Sequence, residues 1–207
     1  MKTAGFSRLS QLVYNQSMIL LIGPSASGKT AISKALRKRY GIIKAITHTT
    51  RAPRKGEANG VDYYFVTDEE FDALDRRHQL IESTLYDGHR YGCTKNEIDD
   101  DKCVIVDPNG YRAFTALKEP SIVTFFLRAS EATRKKRMKE RGDKESEILT
   151  RIENDRVFFD PDKLPNLDYI IETDKRAIDD IATEIYRKYI AKLNERGIPN
   201  PDASMPF

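Results

Sequence analysis

Two kinds of hydrophobic pattern divide this chain. Met18–Ile22, Cys103–Asp107, Ile122–Leu127 and Tyr169–Ile171 are runs with little or no apolar/polar alternation. Such β-rich runs suit strands covered on both faces of a parallel sheet. Between and after them, apolar residues recur at helical spacing. Ile32, Leu36 and Tyr40 predict a helix over about 29–40, and Ile178, Ile181, Ile185 and Ile190 one over about 176–194. Further helices are expected at about 130–141 and 145–159, and a second strand at Ile42–Thr47. Thr67 with Glu70 three residues on is a capping box opening a short helix through Phe71 and Leu74. Asp62–Val66 reads as β, and Leu80–Tyr91 as one or two short strands. The whole is strand–helix alternation with an insertion from about 48 to 94, which predicts an α/β protein of three layers. No internal repeat or low-complexity tract interrupts it.

At 207 residues the chain accommodates one domain, or one domain with a lid. An apolar fraction of 39% is enough for a core, and 32% charged residues with a mean hydropathy of −0.59 predict solubility. A net charge of +3 gives no general bias toward polyanions, so no nucleic-acid partner is expected. Nor is a membrane, since no apolar stretch is long enough for a signal peptide or a span. Cys93 and Cys103 form neither a disulfide framework nor a zinc spacing, which fits a reducing, cytoplasmic setting. Residues 1–17 read as a polar extension and 193–207 as a tail that frays after Gly197.

One motif fixes the ligand class. Gly23-Pro24-Ser25-Ala26-Ser27-Gly28-Lys29-Thr30 follows a predicted strand and opens a predicted helix. In that context G-x-x-x-x-G-K-T is a phosphate-binding loop. Its backbone amides wrap a polyphosphate where no Cβ intervenes, and the helix presents its partial positive end. Lys29 is placed to reach the β- and γ-phosphates, and the Thr30 hydroxyl to ligate Mg²⁺. The chain is therefore expected to bind a nucleoside triphosphate.

The loop from Thr49 to Tyr63 supplies the second clue. Arg51 and Arg54, three apart on a Pro-stiffened loop, with the Tyr63 hydroxyl could clamp a phosphate dianion. A lone R-x-x-R is more often a solvated basic loop, but here Ile81-Glu82, Tyr91-Gly92 and Asp107-Pro108-Asn109-Gly110 follow in order.

With these motifs the chain resembles the guanylate kinase family over about residues 18–192. The resemblance implies a P-loop kinase fold with a mainly parallel sheet. It divides the chain into a core (18–47, 95–130 and 160–192), a monophosphate-binding region with β-structure (48–94) and a helical lid (131–159). It implies transfer of the γ-phosphoryl group of ATP to GMP or dGMP with Mg²⁺. Arg51, Arg54, Tyr63 and Tyr91 would hold the monophosphate's phosphate. Glu82 and Asp107 would accept from guanine N1–H and the exocyclic amine, with Thr47 and Cys93 beside the base. Arg137, Arg141 and Arg151 would be lid arginines closing over the triphosphate and, with Lys29, the catalytic groups.

Three positions depart from the family's pattern. Cys93 stands where Ser or Thr is usual, and a thiol is a weak donor, so guanine preference is expected to weaken. Ile105 replaces an acid, implying a different metal geometry or a slower enzyme. Glu172 stands where Asn is common near adenine. Other readings are a P-loop kinase of another nucleotide or a phosphorylated sugar, a catalytically inactive guanylate-kinase-like binding module, and a nucleic-acid-dependent ATPase. The intact Lys29 and Thr30 argue against the inactive module, and the weak net charge against the last.

Overall fold

The computed structural model describes residues 17–54, 56–86, 88–97 and 102–199. Residues 1–16 of the extension expected over 1–17 and the end of the tail lie outside these. A five-stranded, wholly parallel sheet forms the centre, in the order β2 (Ile43–Lys44), β7 (Lys102–Val106), β1 (Met18–Ile22), β8 (Ile122–Arg128), β9 (Tyr169–Glu172). All five residues of β1 are fully buried, and the pleat sends them to opposite faces. Ile19 and Leu21 join Ile32 and Leu36 of α1 (Lys29–Tyr40) and Ile181 and Ile185 of α6 (Ile178–Glu195). Met18, Leu20 and Ile22 join Tyr111 and Phe114 of α3 (Pro108–Ala116) on the other face. That makes three layers, as the continuous apolar runs predict.

A second sheet, in the order β4 (Tyr64–Phe65), β3 (His48–Thr49), β6 (His89–Thr94), β5 (Leu80–Tyr86), lies within the insertion. The antiparallel β5–β6 pair is its longest element, and α2 (Asp68–Arg76) opens on the expected capping box at Thr67 and Glu70. A third apolar cluster, Met138, Ile148 and Ile152, joins α4 (Glu131–Glu140) to α5 (Glu145–Phe158), with Ala26 of the phosphate loop packed against it.

Two expectations are corrected and one helix is added. The strand expected at Ile42–Thr47 is only Ile43–Lys44, and the next strand, His48–Thr49, belongs to the other sheet. Ala45 N still bonds Cys103 O at 2.9 Å, whereas Thr47 O already accepts from Tyr64 N at 2.9 Å, so the chain crosses between sheets at Ile46. Helix α3 was not expected; its signal is Asp107 as N-cap followed by Pro108 in the first turn. The chain does not fray directly after Gly197. With Gly197 at φ +69°, Ile198 N returns to Leu193 O at 2.9 Å, a helix-end motif, and Ile198 packs on the core. Arg196 binds Pro120 O at 3.0 Å, Ile122 O at 2.9 Å and the Asp168 carboxylate.

Candidate active site

The phosphate loop leaves the carboxyl end of β1, where the strand order reverses and an open α/β sheet offers a crevice. Close packing dictates its first glycine: a Cβ on Gly23 would stand 2.5 Å from Leu127 O. Gly28, at φ +109°, is the N-cap of α1 and offers no side-chain cap, so the first amides of the helix are left for a ligand. Two bonds draw loop carbonyls outward: Thr173 Oγ1 donates to Ser27 O at 2.9 Å, and Arg137 Nη1 to Ala26 O at 3.1 Å. Because the peptide is planar and trans, fixing the Ser27 carbonyl turns the Gly28 amide the opposite way.

The loop lines a cavity of about 330 Å³. Ser25 to Thr30 line it, and Thr47, Arg54, Tyr63, Glu82, Tyr91, Asp107, Arg137 and Arg141 line it too. Residues from the loop, the second sheet, β7 and α4 thus meet around one space. Arg51, Cys93, Arg151, Gly23 and Pro24 lie outside the lining.

Lys29 folds back along its own loop, donating to Gly23 O and, at 2.9 Å, to Pro24 O. Burial first, offset by Asp155 and reinforced by Arg134, Arg141 and Arg54, lowers its pKa to about 8. Thr30 is exposed at the start of α1. Ile105, in register with Leu21 of β1, contributes an apolar wall. Among the described residues no cluster of three or more His, Cys, Asp or Glu is arranged for a metal.

Behind Tyr63, Arg51 is buried, paired with Glu57 at 3.0 Å and set over the rings of Tyr63 and Phe65. Arg54 reaches the cavity instead. Partial burial, then the charges of Arg51, Arg151 and Arg141, push its pKa down. Such crowding of cations marks a place for an anion. Arg141 Nε and Arg151 Nη1 both bind Asp143, at 2.9 and 2.7 Å, so this acid holds the two arginines together and is itself held below the usual carboxylate range. The Tyr63 phenol is pushed up to about 12 by burial and the neighbouring Tyr91, and stays a neutral donor.

Glu82 is buried, and its Oε2 has no hydrogen-bond partner among the described residues. Burial, then Asp107, raises its pKa to about 8. Asp107 also shifts upward through burial, although its Oδ1 accepts the Asn109 and Gly110 amides at 2.9 and 2.8 Å as the cap of α3. Cys93 is the departure from expectation. Its thiol lies in the apolar cluster with Ala45 and Val104 and donates to Thr94 O at 3.7 Å. Burial raises its pKa, so it stays protonated.

Thr84, Tyr86, Gly110 and Phe159 also line the cavity and escaped the sequence reading. A signal for two of them existed: Glu82, Thr84 and Tyr86 follow a period of two along β5, one face of a strand.

The model of the guanylate kinase family matches residues 15–190. The chain belongs to the guanylate kinase family. The guanylate kinase of Thermotoga maritima is 33% identical over 165 residues, spanning 74% of this chain and 77% of that protein. That of Wolbachia pipientis is 30% identical over 191 residues, covering 86% and 94%, and that of Schizosaccharomyces pombe 32% over 166, covering 75% and 82%. A crystal structure of guanylate kinase from Anaplasma phagocytophilum shares the fold, with a TM-score of 0.61, 24% identity and coverage of 86% and 87%. Among the described residues no helix is long and apolar enough to cross a membrane.

Proposed function

We propose that this chain is an ATP-dependent guanylate kinase, converting ATP and GMP or dGMP to ADP and GDP or dGDP. One observation carries the reading of the site: the same cavity is lined by an uncapped phosphate loop and by Arg54, Tyr63, Glu82 and Asp107. A donor triphosphate and an acceptor monophosphate can therefore meet within it.

In this reading the loop amides of Ser25–Thr30 and Lys29 hold the triphosphate, while Arg54, Tyr63 and Tyr91 hold the acceptor phosphate, backed by the Arg51 charge set over the Tyr63 ring. Glu82 and Asp107 take guanine N1–H and the exocyclic amine. The unpartnered Oε2 of Glu82 supports that role, because a buried acceptor without a donor is costly until a ligand supplies one. Thr47 lies beside the base; Cys93, held in the apolar cluster, acts on the base pocket only through packing. An oxygen of the acceptor phosphate attacks the γ-phosphorus, the bond from γ-phosphorus to the β,γ-bridging oxygen breaks, and ADP leaves with that electron pair. No protein nucleophile is needed. Arg137 and Arg141, which line the cavity, neutralise the charge on the moving group, the main task in phosphoryl transfer, and Arg151 holds Arg141 in place through their shared Asp143.

Mg²⁺ fits the donor set, since this ion keeps several waters and takes one or two protein groups together with phosphates. The Thr30 hydroxyl is the protein group available; Ile105 offers no oxygen. Bound there, the ion would neutralise phosphate charge. The soluble chemistry of the substrates fits a cytoplasmic setting.

The direct test is to incubate the protein with Mg-ATP and GMP and separate the nucleotides. GDP and ADP are expected in equal amounts. ADP without GDP would overturn the assignment.

A further inference from the structure

Asp155 lies on α5 with its side chain wholly shielded from solvent. A buried carboxylate persists only where donors surround it. Arg134 Nη1 of α4 donates to Oδ2 at 2.6 Å, and Ser25 N of the phosphate loop to the same atom at 2.9 Å. Tyr86 OH of β5 donates to Oδ1 at 2.8 Å, with Ser25 Oγ at 3.4 Å. One turn on, Phe159 stands edge-on to Tyr86, ring centroids 6.1 Å apart, and its ring lies 5.7 Å from the Lys29 ammonium. Ser25 and Tyr86 line the cavity, whereas Asp155 and Arg134 do not. The carboxylate therefore stands one layer behind the wall. It grips that wall from the triphosphate side through Ser25 and from the strand of Glu82 and Thr84 through Tyr86.

The partners differ in what they would do if the α4–α5 pair swung away. Arg134 and Asp155 sit on helices joined by Met138, Ile148 and Ile152, so the ion pair would travel with them. The bonds to Ser25 and Tyr86 exist only when loop, β5 and helix pair are together. We infer that Asp155 is a positioning residue that couples the two ends of the cavity, so that filling either end favours the arrangement that binds at the other. This rests on the proposed pair of nucleotide sites.

Calorimetry on the full chain tests it. The affinity for GMP is measured with and without saturating Mg²⁺ and a β,γ-imido analogue of ATP, then the analogue with and without GMP. The two orders must give the same coupling factor, and such factors are commonly about 5–150. Asp155→Asn keeps the shape and removes the charge, while Tyr86→Phe removes only a hydroxyl. Each is expected to reduce the coupling factor at least about fivefold relative to wild type, beyond any change in stability. A merely structural carboxylate would lower the melting temperature and leave the factor intact, and that result would overturn the inference. Should Asp155→Asn fail to fold, Tyr86→Phe decides alone. Wild type that binds both ligands with no coupling would overturn the inference only. Wild type that binds no GMP would overturn the proposed function itself.

Discussion

Gly110 and the Glu82 carboxyl meet so closely that a Cβ on the glycine would stand 3.2 Å from Glu82 Oε2. Gly110 lies inside helix α3, where glycine ordinarily costs about 1 kcal/mol against alanine. Its amide also donates to Asp107, so one residue makes room for one carboxyl and fixes the other. The same Cβ would stand 3.2 Å from Val106 Cβ, so Gly110→Ala is expected to lower the melting temperature by a few degrees as well as displace Glu82. Steady-state kinetics should show KM for GMP raised about three- to tenfold, with KM for ATP little changed.

Glu82 costs stability in the empty protein. Its folded pKa is raised to about 8 from the ordinary 4.5. Between those values the folded state holds a proton that the unfolded chain has released, so stability falls as pH rises through the window. Glu82→Gln should therefore raise the melting temperature at pH 8, by a few degrees for a gain of roughly 1–3 kcal/mol. The same change should weaken GMP binding about tenfold or more, since an amide is neutral and offers one accepting oxygen where the carboxylate offers two. Stabilisation without lost affinity would remove Glu82 from the base site.

The two nucleotides should respond to pH with opposite signs. Guanine's donors need the Glu82 carboxylate, so GMP affinity should climb up to about tenfold per pH unit until about pH 8, then level. Lys29, lowered to about 8, must be protonated to meet a triphosphate, so ATP affinity should decline above that pH. Calorimetric titrations from pH 6 to 9.5 check this: GMP binding should release protons, and ATP binding take them up. Parallel profiles would contradict both assignments.

Lys29→Ala is expected to abolish nearly all turnover while GMP still binds. Arg137→Ala should lower kcat roughly 10³-fold if that side chain neutralises charge on the moving group. The structure adds a second consequence. Arg137 also holds Ala26 O and Thr173 O, the latter at 2.8 Å, so KM for ATP should rise as the loop loses its brace. Arg137→Lys tests the difference, because an ammonium restores charge but not the planar fork spanning both carbonyls.

Much of this was legible in the chain because local chemistry carries it. The phosphate loop declares itself by Gly23, Gly28, Lys29 and Thr30 at fixed spacing, and helix α1 begins and ends where the pattern places it. The apolar runs around Met18–Ile22 read correctly because strands buried on both faces need no alternation. What escaped depends on tertiary contact. The crossing of the chain between sheets at Ile46 follows from partners far away in sequence, Cys103 and Tyr64. Cys93 aligns with base-contacting hydroxyls in the family pattern, yet its side chain packs among Ala45 and Val104. Asp155 carries no motif at all. It is one acid in a charged helix, and its weight comes from Ser25 and Tyr86, 130 and 69 residues away.

The central claim is the pairing of ATP with a guanine monophosphate in one cavity. Rates of ADP formation from Mg-ATP with GMP, dGMP, AMP, CMP, UMP, dTMP and IMP test it most directly. Turnover confined largely to GMP and dGMP, with IMP poorer for want of the exocyclic amine, is the predicted result. Equal turnover with AMP or a pyrimidine monophosphate, or none with any acceptor, would contradict it.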